Sequence, residues 1–198
     1  DGVLVTQNDD PFAELSKAAN HIGDIDVHDG QVFAGVEWFS DGRCRDIQIA
    51  VYSADTLEYL RSIDWLPASG QTEARRLDHE VICLTDWVNG EFVYRYDLET
   101  GRFAGKVQLR PVPSRQQGIG WSRGHLFVTA DDGDADTVEA DTLWRFEPAD
   151  SDSSVFVTLE KKFKELRRAG EIEGVTFDDD RCEMAVLSNR GARIVRGM

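Results

Sequence analysis

The chain has 198 residues and a formal net charge of −15, from 22 Lys and Arg against 37 Asp and Glu. Its length suits one full hydrophobic core or two small ones, and 41% hydrophobic with 10% aromatic residues describes a globular protein rather than a disordered one. The acidity excludes a nucleic-acid backbone or an anionic membrane surface as the expected partner, since both attract a positive face.

Read in chain order, the opening Asp1-Gly2-Val3 carries no basic segment and no apolar signal core. Cytoplasmic and mature secreted locations both stay open. Val3–Gln7 reads as a short strand, an apolar run that ends in polar residues, and its turn-then-apolar pattern parallels Asp29-Gly30 followed by Gln31–Ala34. Asp10-Pro11 then opens a helix over Phe12–Ala19, with Pro at the first helical position.

From residue 20 the chain repeats. Each unit opens with a small or polar residue, usually Gly, and usually an aliphatic: Gly23-Asp24-Ile25, Ser69-Gly70-Gln71, Gln117-Gly118-Ile119 and Glu173-Gly174-Val175. A second apolar run follows each opening: Val32–Gly35, Ile82–Thr85, Phe127–Thr129 and Ala185–Ser188. A third comes at Ile47–Tyr52, Phe92–Tyr96, Leu143–Phe146 and Ala192–Val195, and a fourth at Tyr59–Ile63, Phe103–Leu109 and Val155–Leu159. Four short strands per period of about 40–50 residues is the spacing of propeller blades. Lys161–Arg168 reads as a short helix between blades, ended by Gly170. The expectation is an all-β propeller of four-stranded antiparallel blades filling residues 1–198 as one domain. The blades fall near 20–66, 67–110, 115–160 and 170–198. These four blades plus the N-terminal strand 3–7 give five expected blade positions, and four is the alternative.

The hairpin Tyr96-Asp97-Leu98-Glu99-Thr100-Gly101 resembles the turn between third and fourth strands in the YVTN/NHL/SMP-30-like β-propellers. Glu171-Ile172-Glu173-Gly174-Val175-Thr176-Phe177 is similar to the strand that carries a functional Glu in SMP-30-type lactonases and phytase-like propellers. The resemblance implies a propeller fold and, as a second reading, a metal-dependent hydrolase or lactonase.

Propeller topology brings the starts of first strands and the ends of second strands to one channel mouth. The first set supplies His21, Arg115 and Glu171, with Gly23, Ser69, Gln117 and Glu173 one alternation further in. The second supplies Asn8, Asp9, Glu37, Asp86, Asp131, Asp132, Asn189 and Arg190. Carboxylates with an Asn carbonyl suit a hard cation, so Glu173, Asp131, Asn189 and Asp24 form the expected Ca²⁺ or Mg²⁺ set. Glu37, Asp86, Gln117 and Arg190 are expected to contact a ligand, and His21 and Glu171 are the candidate acid/base groups. Several carboxylates at one mouth repel unless a cation offsets them. The expected function is therefore a binding protein that presents an acidic mouth to a small ligand, a cation or a protein.

Two motifs are set aside. Gly120-Trp121-Ser122-Arg123-Gly124 fits G-x-S-x-G, but a strand follows where a nucleophile elbow needs a helix. Asp131–Asp136 is acidic, yet Thr137 and Leu143 stand where a calcium-binding EF-hand loop begun at Asp132 needs Gly and Glu. Cys44, Cys83 and Cys182 form no CxxC, and Cys83 reads as a buried thiol.

Overall fold

A computed structural model of the chain describes residues 3–64, 81–85, 90–131, 140–150, 152–164, 171–188 and 193–197. Its regular structure is all-β: fifteen strands are described, in small sheets, with no α-helix among the described residues. No helix there is long and apolar enough to cross a membrane. The chain divides into two compact units, Asp1–Pro67 and Ala68–Met198.

The first unit is a four-stranded antiparallel meander of β1 (His21–His28), β2 (Gln31–Ser40), β3 (Arg43–Ser53) and β4 (Tyr59–Asp64). Two-residue turns make its tight hairpins. Asp29-Gly30 and Asp41-Gly42 have positive φ at both positions, 45° and 70° in the first and 52° and 70° in the second. Such turns match the strand twist and need residues that tolerate the left-handed region. One face buries Ala34, Val36, Ala50 and Tyr52 under Phe12, Leu15 and Ala19.

Residues 12–19 are not the expected helix. Residues 11–14 form turns held by Ala13 N–H to Asp10 O and Leu15 N–H to Phe12 O. The apolar spacing is real, and those side chains cover the sheet. The carbonyls go elsewhere: Pro11 O accepts from the Tyr52 hydroxyl at 2.6 Å, and Lys17 O accepts from the buried Gln48 amide at 2.9 Å. Sheet side chains take the acceptors a helix would use. Val3–Gln7 also departs from expectation and forms no strand. Thr6 Oγ1 donates to Thr56 O and Asn8 Nδ2 to Leu57 O, so this segment hangs on the β3–β4 turn.

The second unit holds three sheets. β5 (Val81–Leu84), β6 (Phe92–Asp97) and β7 (Phe103–Arg110) run antiparallel. β8 (Gln116–Ser122), β9 (His125–Ala130), β10 (Thr142–Phe146) and β12 (Thr158–Lys162) make a second meander. β13 (Ile172–Asp178), β14 (Glu183–Ser188) and β15 (Arg193–Gly197) make the third. The run expected as one strand at 155–159 is two. Ser154–Phe156, β11, pairs parallel to β7, and the chain then breaks at buried Val157, whose N–H donates to Arg110 O. The strand expected at 69–71 and the stretch 165–168 lie outside the described residues. Thr158–Lys162 is strand, so the expected helix does not begin at Lys161; Phe163 is buried and its N–H donates to Asp141 O.

The middle sheet is covered on both faces. Leu126, Val128 and Phe146 pack with Val93 and Leu109 of the preceding sheet. Leu143 and Phe127, on the other face, pack with Ile172, Val175 and Val186 of the following one, around Phe163. Full burial of such a side chain is worth about 1.5–3 kcal/mol. β8 and β13 approach so closely that a Cβ on Gly120 would lie 3.0 Å from the Val175 carbonyl oxygen.

Candidate functional site

The three opening strands share one irregularity. In β1 the register shifts between Ile22 and Ile25, in β8 between Gln116 and Gly118, and in β13 between Ile172 and Gly174. Gln117 and Glu173 are the extra residues of the latter two bulges, and Asp24 lies inside the first. A bulge bends its strand and redirects a side chain, which is why bulges gather next to sites. The small-polar-Gly motif in the sequence marks this bulge.

Just before each bulge, the first residue of the unit faces the end of the second strand. In the first unit this is a contact between two expected site residues. His21 Nδ1 lies 3.1 Å from Glu37 Oε1, and His21 sits 5.7 Å, centroid to centroid, from the Phe39 ring. Asn20 sets the register. Its N–H donates to Glu37 O, its side-chain amide donates to Phe39 O, and its Oδ1 accepts from Phe39 N–H. A carboxylate beside Nδ1 favours one orientation of the imidazole.

The second unit joins three more. Asp131 follows β9, its N–H donates to Arg115 O at 3.0 Å, and the residue is only 4% exposed. Glu171 and Glu173 open the neighbouring sheet, both half-buried. Burial pushes the Glu171 carboxyl above its ordinary range, and the charges of Asp131 and Glu173 push it further. The Arg115 guanidinium pulls the other way. Three carboxylates and one guanidinium thus share a field, with a net excess of two negative charges when all are ionised. Gln117, half-buried, lies on the first strand of the adjoining sheet.

The remaining expectations divide. His21, Asp24 and Glu37 belong to the first unit, and Gln117, Asp131, Glu171 and Glu173 to the second. Asp24 Oδ1 accepts from Ile25 N–H within its own strand. Asp86, Asn189 and Arg190 lie outside the described residues, as does most of the acidic run after Asp131. Among the described residues no group of three or more His, Cys, Asp or Glu is arranged to hold a metal ion. Of the expected metal set, Asp131 and Glu173 lie at this site beside Arg115, Asp24 belongs to the first unit, and Asn189 lies outside the described residues.

The first unit holds a cleft that sequence reasoning did not outline, although two of its lining residues, Asn8 and Asp9, were expected at the channel mouth. It has a volume of about 280 Å³ between the N-terminal segment and the β3–β4 turn, and Asn8, Asp9, Glu14, Glu58 and Tyr59 are among its lining residues. The misread strand and helix at 3–19 hid it. Ser122 stands on no strand-to-helix elbow: it ends β8 before an Arg123-Gly124 turn into β9, and its hydroxyl donates to Asp179. Arg123 N–H donates to the same carboxylate, and these bonds hold Asp179 below its ordinary range. Cys83 packs against the core, where burial raises its thiol to about 11 against the opposing pull of Arg95.

No protein-family model and no curated protein matches the chain. Among solved structures, the chain is similar to the computationally designed Ika4 protein, with 15% identity and a TM-score of 0.41 over 99% of this chain and 98% of that one. It is also similar to the computationally designed Ika8 protein, with 16% identity and a TM-score of 0.39 over 92% of this chain and 47% of that one.

Proposed function

We propose that this is a binding protein of the propeller kind, whose sheets are blades and whose acidic edge receives a cationic group. The reading rests on one observation above the others. On top of its burial, the charges of Asp131 and Glu173 raise the Glu171 carboxyl, and Arg115 offsets only part of that. A site that keeps like charges together at a cost to its own ionisation is poised to gain when a positive group arrives. The cation of a small ligand, a Lys or Arg of a partner protein, or a divalent ion such as Ca²⁺ or Mg²⁺ all belong to that class. The repeated bulge supports the blade reading, as does the resemblance to YVTN/NHL/SMP-30-like repeats.

The test is calorimetric titration with Ca²⁺, Mg²⁺ and an arginine-rich peptide, on the parent chain and on Glu173→Gln. Binding by at least one probe, weakened about tenfold in the variant, supports the reading; one lost charge contact at a half-buried site is worth about 1.4 kcal/mol. No heat with any probe counts against it. A hydrolase of the SMP-30 type is the second reading, favoured by the His21–Glu37 contact, which orients a candidate base. Lactone or phosphoester hydrolysis that disappears in His21→Gln would carry it, and no turnover in the parent chain would end it.

A further inference from the structure

We draw no further inference here: the strongest candidate, the exposed apolar face of β1 carrying Ile22, Ile25 and Val27, is an unpartnered sheet face, and nothing in the structure shows what covers it.

Discussion

Glu171 is where the proposed function meets stability. Its carboxyl is raised in the folded state, so from the ordinary carboxylate range upward the folded chain holds a proton that the unfolded chain has released. Stability therefore falls as pH rises through that window, and the penalty is fully present above the folded value. Glu171→Gln removes it. The variant is expected to unfold later than the parent at neutral pH, with the gain vanishing below about pH 4, where the parent carboxyl is protonated in both states. Urea midpoints across that range measure it; a variant less stable at pH 7 would contradict the assignment. Arg115→Gln is expected to act oppositely and lower the neutral-pH midpoint.

Two turns make a matched experiment in backbone conformation. The β6–β7 turn closes with Gly101 N–H to Asp97 O, Asp97 N–H to Arg102 O, and Thr100 N–H to Asp97 Oδ1. The β3–β4 turn repeats this with Leu57 N–H to Ser53 O, Ser53 N–H to Glu58 O, and Thr56 N–H to Ser53 Oγ. At the left-handed position Gly101 has φ 64° and Leu57 φ 57°. A non-glycine residue there costs about 1–2 kcal/mol, and Asn tolerates it better than Leu. Leu57→Asn should stabilise by up to about 1 kcal/mol and Gly101→Ala should destabilise by about as much, read from denaturation midpoints.

At the scale of elements, the sheets of the second unit are held by contacts that sequence pattern shows only in part. Short apolar runs bounded by turn residues marked β2, β6, β9, β10 and β14. That pattern misjudged 155–162, because the break at Val157 is set by a parallel pairing with β7, distant in sequence. It misjudged 12–19, because apolar spacing reports which side chains are buried and not where the carbonyls bond. Gly120 tests the closeness of β8 and β13. An added methyl would meet Val175 O at 3.0 Å and Phe177 Cε2 at 3.1 Å, and the backbone oxygen has no rotamer to yield with. Gly120→Ala should cost about 1–3 kcal/mol by overpacking. Gly23→Ala, whose nearest neighbour is Gly35 O at 3.7 Å, is the near-neutral control in unfolding experiments. The Ser122–Asp179 bond ties the β8–β9 turn to the β13–β14 turn. Because the Asp179 carboxyl is lowered, the stability it adds is present above the ordinary Asp range and is lost as pH falls through the folded value.

For the molecule as a whole, the all-β fold was legible because short apolar runs bounded by turn residues leave a pattern in the sequence. The site was legible in halves. His21 faces Glu37 because the start of a first strand lies opposite the end of the second strand it pairs with, whereas Asp131 acts on Glu171 from a different sheet. Arg115 stood in the same set of strand starts, but its role as internal counter-charge emerged only with the fold. Whether a residue offsets or adds to a cluster depends on which neighbouring sheet it faces, and strand spacing does not encode that. The central claim is that Asp131, Glu171 and Glu173 form one electrostatic site open to a positive group. The direct measurement is a pH titration of the Glu171 side-chain carboxyl by carbon NMR, in the parent chain, in Asp131→Asn and Glu173→Gln, and with the best-binding cationic probe at saturation. The account predicts a raised apparent pKa in the parent that falls toward the ordinary value in both variants and falls again when the probe is bound. A Glu171 carboxyl that titrates in the ordinary range and ignores all three changes would contradict it.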